Sequence, residues 1–133
     1  MKATTVIKKA TKGINQFYNP RSAWDKGVKT YAVELLEKLQ EQAEGNYITL
    51  DDLYSVNMLN KAMLNGAENW VHYSEGGNAI IWDEEIMQRL CNASEFKKYQ
   101  NGKLNTRETP HQIQGRALFQ AANLVKSYIK SYL

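Results

Sequence analysis

Apolar residues recur at steps of three and four along residues 24–43: Trp24, Val28, Tyr31, Ala32, Leu35, Leu36, Leu39 and Ala43. That spacing puts them on one side of a helix of about six turns. Ser22 and Asp25 form a variant capping box, Pro20 blocks an earlier start and Gly45 supplies a stop. The pattern therefore predicts a helix over about Ala23–Glu44. The end of the chain repeats the design. Thr109, Pro110 and Gln112 place a capping threonine, a first-turn proline and a reciprocal glutamine in register. Ile113, Ala117, Ala121, Leu124, Val125, Tyr128 and Tyr132 then line one side of a helix over about Pro110–Tyr132. Gly115 inside it costs about 1 kcal/mol against alanine, which marks it as the site of a close helix crossing.

Between these helices the pattern is less regular. Thr49 with Asp52 starts a short helix, and Leu59, Ala62, Met63, Ala67 and Trp70 suggest another running to Tyr73. Ser74–Asn78 is a loop by composition. Ala79–Trp82 reads as a short strand, or as one half of a small hairpin with Trp70–Tyr73. Asp83 then caps a helix carrying Ile86, Met87, Leu90 and Cys91, and Ser94 starts a further short turn that ends near Asn101 and Gly102. Ahead of all of these, Val6, Ala10, Ile14 and Phe17 have only weak helical spacing, and residues 1–20 read as a loosely attached basic arm. The expected fold is mostly α: one compact domain over 1–133, of about five to six helices, with one short hairpin near 70–82.

Composition narrows the class without fixing the chemistry. The 133 residues are 43% hydrophobic and 23% charged, an ordinary globular balance. A domain of this size buries about two-thirds of its unfolded surface and needs neither disulfide nor metal to fold. Cys91 is the one cysteine, which excludes an internal disulfide framework and a cysteine zinc cluster. The longest wholly apolar run, Ala79–Trp82, is far below the roughly 20 residues that span a bilayer. Met1–Thr5 lacks the apolar core of a secretion signal, so a cytosolic protein without membrane attachment is expected.

Charge is segmented. Residues 1–30 carry seven Lys/Arg against Asp25, residues 31–95 carry three against twelve acids, and residues 96–133 return to seven against Glu108. Basic ends and an acidic middle either neutralise each other in the fold or form patches of opposite sign. Within the acidic stretch, Glu34, Glu37, Glu41 and Glu44 fall within about 80° of one another on a helical wheel, opposite the apolar stripe. They occupy the C-terminal half of their helix, where the macrodipole disfavours negative charge. Glu34–Lys38 is a favourable four-residue pair and Glu37–Glu41 a repulsive one. Such a ridge calls for a basic cover: a partner protein, a second copy of the chain, or an intrachain neighbour such as Arg116, Lys126 and Lys130 of the last helix.

Motifs for chemistry are weak. Gly76 and Gly77 lack the Lys-Ser/Thr of a phosphate loop and read as a turn pair. His72 and His111 are the only histidines, so a zinc site would have to combine Cys91 with distant carboxylates. Cys91 lies near Met87, Leu90 and Ala93, where an inert packed thiol is the default. Glu95-Phe96-Lys97 has the Glu-x-Lys form of metal-dependent nucleases, with Asp83, Glu84 and Glu85 as further ligands, but Ser94 marks a helix start where such sites use a strand. Trp24, Tyr31 and Tyr128 belong to apolar stripes, which leaves Tyr73 and Trp82, flanking the glycine loop, as the less committed aromatics. No cofactor is expected.

From about Ser22 to Val125 the chain resembles a group of small proteins carried on phages, plasmids and conjugative elements of gut bacteria. The resemblance rests on Arg21-Ser22-Ala23-Trp24 with Gly27-Val28, and on Tyr73-Ser74-x-Gly76-Gly77. It continues through Asp83-x-x-Ile86-x-x-Arg89-Leu90-Cys91, Ser94-Glu95-Phe96-Lys97 with Asn101-Gly102, and Gln114-x-Arg116-Ala117-Leu118-x-Gln120-Ala121. After Gly102 the chain departs from the group's acidic, arginine-rich turn and reads Lys103-Leu104-Asn105. The resemblance implies a mobile genetic element in a bacterial host cell, where small proteins often blunt host defences and anti-CRISPR inhibitors are one class. The functional expectation is a non-enzymatic interaction protein that binds and inhibits a host defence nuclease, most specifically a type II CRISPR nuclease with its basic channels. Glu34, Glu37, Glu41 and Glu44 with Tyr73, Gly76 and Gly77 are the candidate partner-binding residues. The alternative is a small nucleic-acid-binding accessory protein using the basic ends, and a metal-dependent nuclease is a distant third.

Overall fold

The computed structural model describes residues 2–55 and 79–133, with 79–82 described by their backbone alone. These residues form α1 (Ala3–Phe17), α2 (Ala23–Glu44), α3 (Leu50–Tyr54), α4 (Ala79–Leu90), α5 (Ala93–Gln100) and α6 (Pro110–Tyr132), with no strand among the described residues. The described residues form the expected mostly α domain, with six helices among them. The long helices begin where their caps dictate. Ser22 Oγ accepts the Asp25 N–H at 3.1 Å and donates to Asp25 Oδ2 at 2.8 Å. Thr109 and Gln112 close a reciprocal capping box ahead of Pro110, as do Thr49 and Asp52 for α3.

Packing follows the stripes. α2 lies against α6, α1 packs on both, and α4 covers part of α2 and α6 while α5 rests on α4. Ile7 and Ile14 of α1, Leu35, Leu36 and Leu39 of α2, Met87 of α4, and Val125 and Ile129 of α6 are fully buried. Each large apolar side chain so buried contributes about 1.5–3 kcal/mol before entropy is charged against it. The α6 stripe is wider than its spacing predicts, because Gln114, Leu118 and Ile129 are buried as well. Among the described residues no helix is long and apolar enough to cross a membrane.

Five local expectations are corrected. Residues 1–20 are not a loose arm: α1 buries Ala3, Val6, Ile7, Ala10, Gly13 and Ile14 in the common core, while Phe17 stands exposed. Ala79–Trp82 is the first turn of α4 and not a strand or half-hairpin, and Asp83 is therefore inside a helix and caps nothing. A four-residue apolar run suits a strand or a packed helix equally, and here the helical spacing of Ile86, Met87 and Leu90 extends backward through it. Asn92, not Ser94, caps α5, accepting the Glu95 N–H at 2.8 Å while Glu95 Oε1 accepts the Asn92 N–H at 3.1 Å. Gly45 does end α2, as its position predicts; it has an ordinary negative φ, and the left-handed residue is Asn46 at φ 62°. There Tyr47 N–H reaches back to Gln42 O and Asn46 N–H to Ala43 O, the paired bonds of a Schellman turn. Gly115, finally, meets nothing: a Cβ there would find no atom within 4 Å. The close crossings lie at Gly27, where a Cβ would stand 2.6 Å from the Arg89 carbonyl oxygen, and at Gly13, 2.5 Å from Tyr132 Oη.

The helix expected near Leu59–Tyr73, the loop Ser74–Asn78, and with them His72, Tyr73, Gly76 and Gly77, lie outside the described residues, as does the Trp82 side chain.

Candidate functional site

α2 projects its glutamates opposite its apolar stripe, and the fold treats them unequally. Glu34 is half-buried and doubly held by Arg89 of α4, with Nη2 to Oε1 at 3.0 Å and Nη1 to Oε2 at 3.1 Å. A parallel two-point pair of this kind fixes geometry as well as charge. The same guanidinium lies 4.7 Å from the centroid of the Tyr31 ring, and Gln114 Nε2 of α6 donates to Tyr31 Oη at 3.4 Å. Burial is the main cause that pushes the Tyr31 hydroxyl above its ordinary range, so it stays protonated. Glu34 thus belongs to a clasp joining α2, α4 and α6.

Glu37, Glu41 and Glu44 are exposed. Glu44 Oε1 accepts from Gln40 Nε2 at 3.1 Å, while Gln40 Oε1 is buried without a protein partner. A groove of about 650 Å³ separates this ridge from α1, with Leu36, Glu37, Gln40 and Glu41 on one wall and Lys8 and Lys12 on the other. Among the described residues, no ion pair within 4.0 Å ties up any of the three exposed glutamates. The intrachain basic neighbour of the ridge is therefore α1 and not, as the spacing suggested, the last helix.

Arg116 of α6 is spent elsewhere. Its Nη2 meets Glu108 Oε1 at 2.9 Å, and its guanidinium lies 4.4 Å from the centroid of the Trp24 ring. Trp24 Nε1 in turn donates to Gln120 Oε1 at 2.8 Å. The residues singled out in Arg21–Val28, Arg89–Leu90 and Gln114–Gln120 thus meet one another at the α2–α4–α6 junction, where they hold helices in register. Sequence reasoning missed this, because Arg116 lies off the α6 stripe and spacing alone does not pair it with Trp24 of α2.

The remaining chemical candidates have local explanations. Cys91 is half-buried, and burial first, then the Glu95 carboxylate, pushes its thiol up and away from the reactive thiolate. Glu95 closes its own helix cap, so Glu95-Phe96-Lys97 sits in a helical first turn. His111 Nε2 lies 3.5 Å from Asp83 Oδ1, linking the starts of α4 and α6. Among the described residues no group of three or more His, Cys, Asp or Glu is placed to hold a metal ion.

No protein-family model, curated protein or solved structure matches this chain.

Proposed function

We propose that this chain is a binding protein of a mobile genetic element that acts by occupying a basic surface of a host defence nuclease, most specifically a type II CRISPR nuclease. One observation carries the reading. Three glutamates, Glu37, Glu41 and Glu44, stand exposed in the C-terminal half of α2, where the helix dipole opposes them and no described ion pair absorbs them. Within the fold, among the described residues, they have only a hydrogen bond from Gln40 to Glu44 and the lysines Lys8 and Lys12 across a groove from Glu37 and Glu41. A basic channel built to hold nucleic acid would gain from all of them, because it would meet a row of carboxylates held on a rigid helix. The resemblance to mobile-element proteins supplies the biological setting.

The experiment is a cleavage assay: purified protein is mixed with a guide-loaded type II nuclease before target DNA is added. Protection of the target by wild type, lost in the Glu37→Gln/Glu41→Gln/Glu44→Gln protein, supports the reading. Equal protection by both proteins removes the ridge from the mechanism, and no protection by either removes this nuclease class as the target.

A further inference from the structure

We infer that the outer face of α6 is where two copies of this chain meet, crossing antiparallel with Phe119 of each copy set over Gly115 of the other. Among the described residues three glycines lie inside helices. Gly13 and Gly27 each let a neighbour come too close for a Cβ, whereas Gly115 has no atom within 4 Å of the place its Cβ would take. A glycine there costs α6 stability, and no described neighbour accounts for it. One turn further on, Phe119 leaves 69% of its surface open. The other large apolar side chains so exposed, Phe17, Tyr47 and Tyr54, stand at helix ends or in a turn, while Phe119 is in the middle of a 23-residue helix.

The helical period puts both residues on the solvent side. Ala117 and Ala121, fully buried, lie about 160° around α6 from Phe119. Gly115 is one turn before Phe119 and Lys126 two turns after it, on one line of the surface. Lys126 is half-exposed, and among the described residues no ion pair within 4.0 Å takes it. Glu108, just ahead of the helix, keeps 42% of its side-chain surface open while it pairs with Arg116.

These four positions are complementary to themselves. An antiparallel pair centred at the level of Ala117 sets Phe119, two residues beyond the centre, across from Gly115 of the other copy, two residues before it. The same two-fold sets Lys126 across from Glu108, each nine residues from the centre. An aromatic knob meets a notch and an ammonium meets a carboxylate, each twice. A parallel pair in register would set Lys126 and Lys130 beside their own copies, like charge on like. A parallel pair shifted by one turn would match Phe119 to Gly115 in one direction only and leave the contact unclosed. None of these residues belongs to the glutamate ridge of α2, so either surface can fail without the other.

Sedimentation equilibrium of the full chain tests the inference from about 10 μM to about 1 mM, because one helix pair falls below the roughly 1,200 Å² of a standard interface and associates weakly. Wild type should pass from monomer toward dimer mass over that range. Gly115→Gln has room within a single copy, so circular dichroism should show the fold kept. The same change fills both notches and should weaken dimerisation about tenfold or more. Phe119→Ala should weaken it by at least about tenfold as well, because the lost anchor counts twice across the two-fold. Lys126→Glu sets carboxylate against carboxylate and should weaken the dimer, with added salt recovering part of the loss. Amide NMR shifts that move with concentration should fall on α6 around Gly115 and Phe119. Wild type that stays monomeric throughout overturns the inference. So does a dimer that survives both Gly115→Gln and Phe119→Ala, or concentration-dependent shifts confined to Glu37, Glu41 and Glu44 of α2.

Discussion

Two glycines of the same chemistry have opposite roles, and the difference lies in what stands opposite each. At Gly27 a Cβ would come within 2.6 Å of both the Arg89 carbonyl oxygen and Leu90 Cδ2, so α4 must move away from α2. Gly27→Ala is expected to lower stability by about 1–3 kcal/mol, the usual cost of overpacking. Gly115 sits in open space inside α6, where alanine relieves only a helix penalty. Gly115→Ala should therefore raise stability by about 0.5–1 kcal/mol. Urea unfolding of the two variants beside wild type checks both signs. At Cys91, burial and the Glu95 carboxylate raise the thiol's pKa, so less thiolate is present at neutral pH than in the unfolded chain. Labelling by a thiol reagent at pH 7.5 should be slower in native protein than in urea, and its rate midpoint should move to higher pH. A native rate equal to the denatured one would contradict the assignment of a packed thiol.

At the scale of the element, the ends of α2 and α6 are legible because each is written twice, once in the apolar spacing and once in the cap. Removing one of the two signals has a definite cost. Thr109→Ala deletes the hydroxyl that accepts the Gln112 N–H and is expected to lower stability by about 0.5–2 kcal/mol, read from the urea midpoint at constant slope. α1 is poorly legible for the opposite reason. It has no side-chain cap at Lys2 and no acid in its first turn, so only its stripe announces it. Tracing that stripe through the exposed Phe17 hid the fact that Ile7 and Gly13 complete the buried face. The start of α4 fails differently, since Ala79–Trp82 is a short apolar run whose period cannot be read in isolation. Asn92 was hidden by Ser94, which is as good a capping residue and stands two positions later.

Across the whole molecule, charge sorts by helix: the acids of the ridge lie on α2, and α1 and α6 have none. The sequence shows that segmentation along the chain but not its arrangement in space. Nothing in the spacing of Glu34 says that Arg89, 55 residues away, will take it, or that Lys8 and Lys12 will face Glu37 and Glu41 across a groove. Tertiary proximity decides which members of a charged row are structural and which are left over. Replacing the leftover three with glutamine removes like-charge repulsion and a dipole conflict in α2. The triple variant should melt at or slightly above the wild-type temperature.

The most direct test of the ridge as a partner contact is the affinity of the protein for a purified type II CRISPR nuclease at two salt concentrations, for wild type and for Glu37→Gln/Glu41→Gln/Glu44→Gln. A contact through exposed carboxylates predicts wild-type binding that weakens with salt, and a triple variant that binds at least tenfold more weakly with little salt dependence left. Wild-type affinity retained by the triple variant, with the same salt dependence, would contradict it and leave the ridge a solvated face of α2.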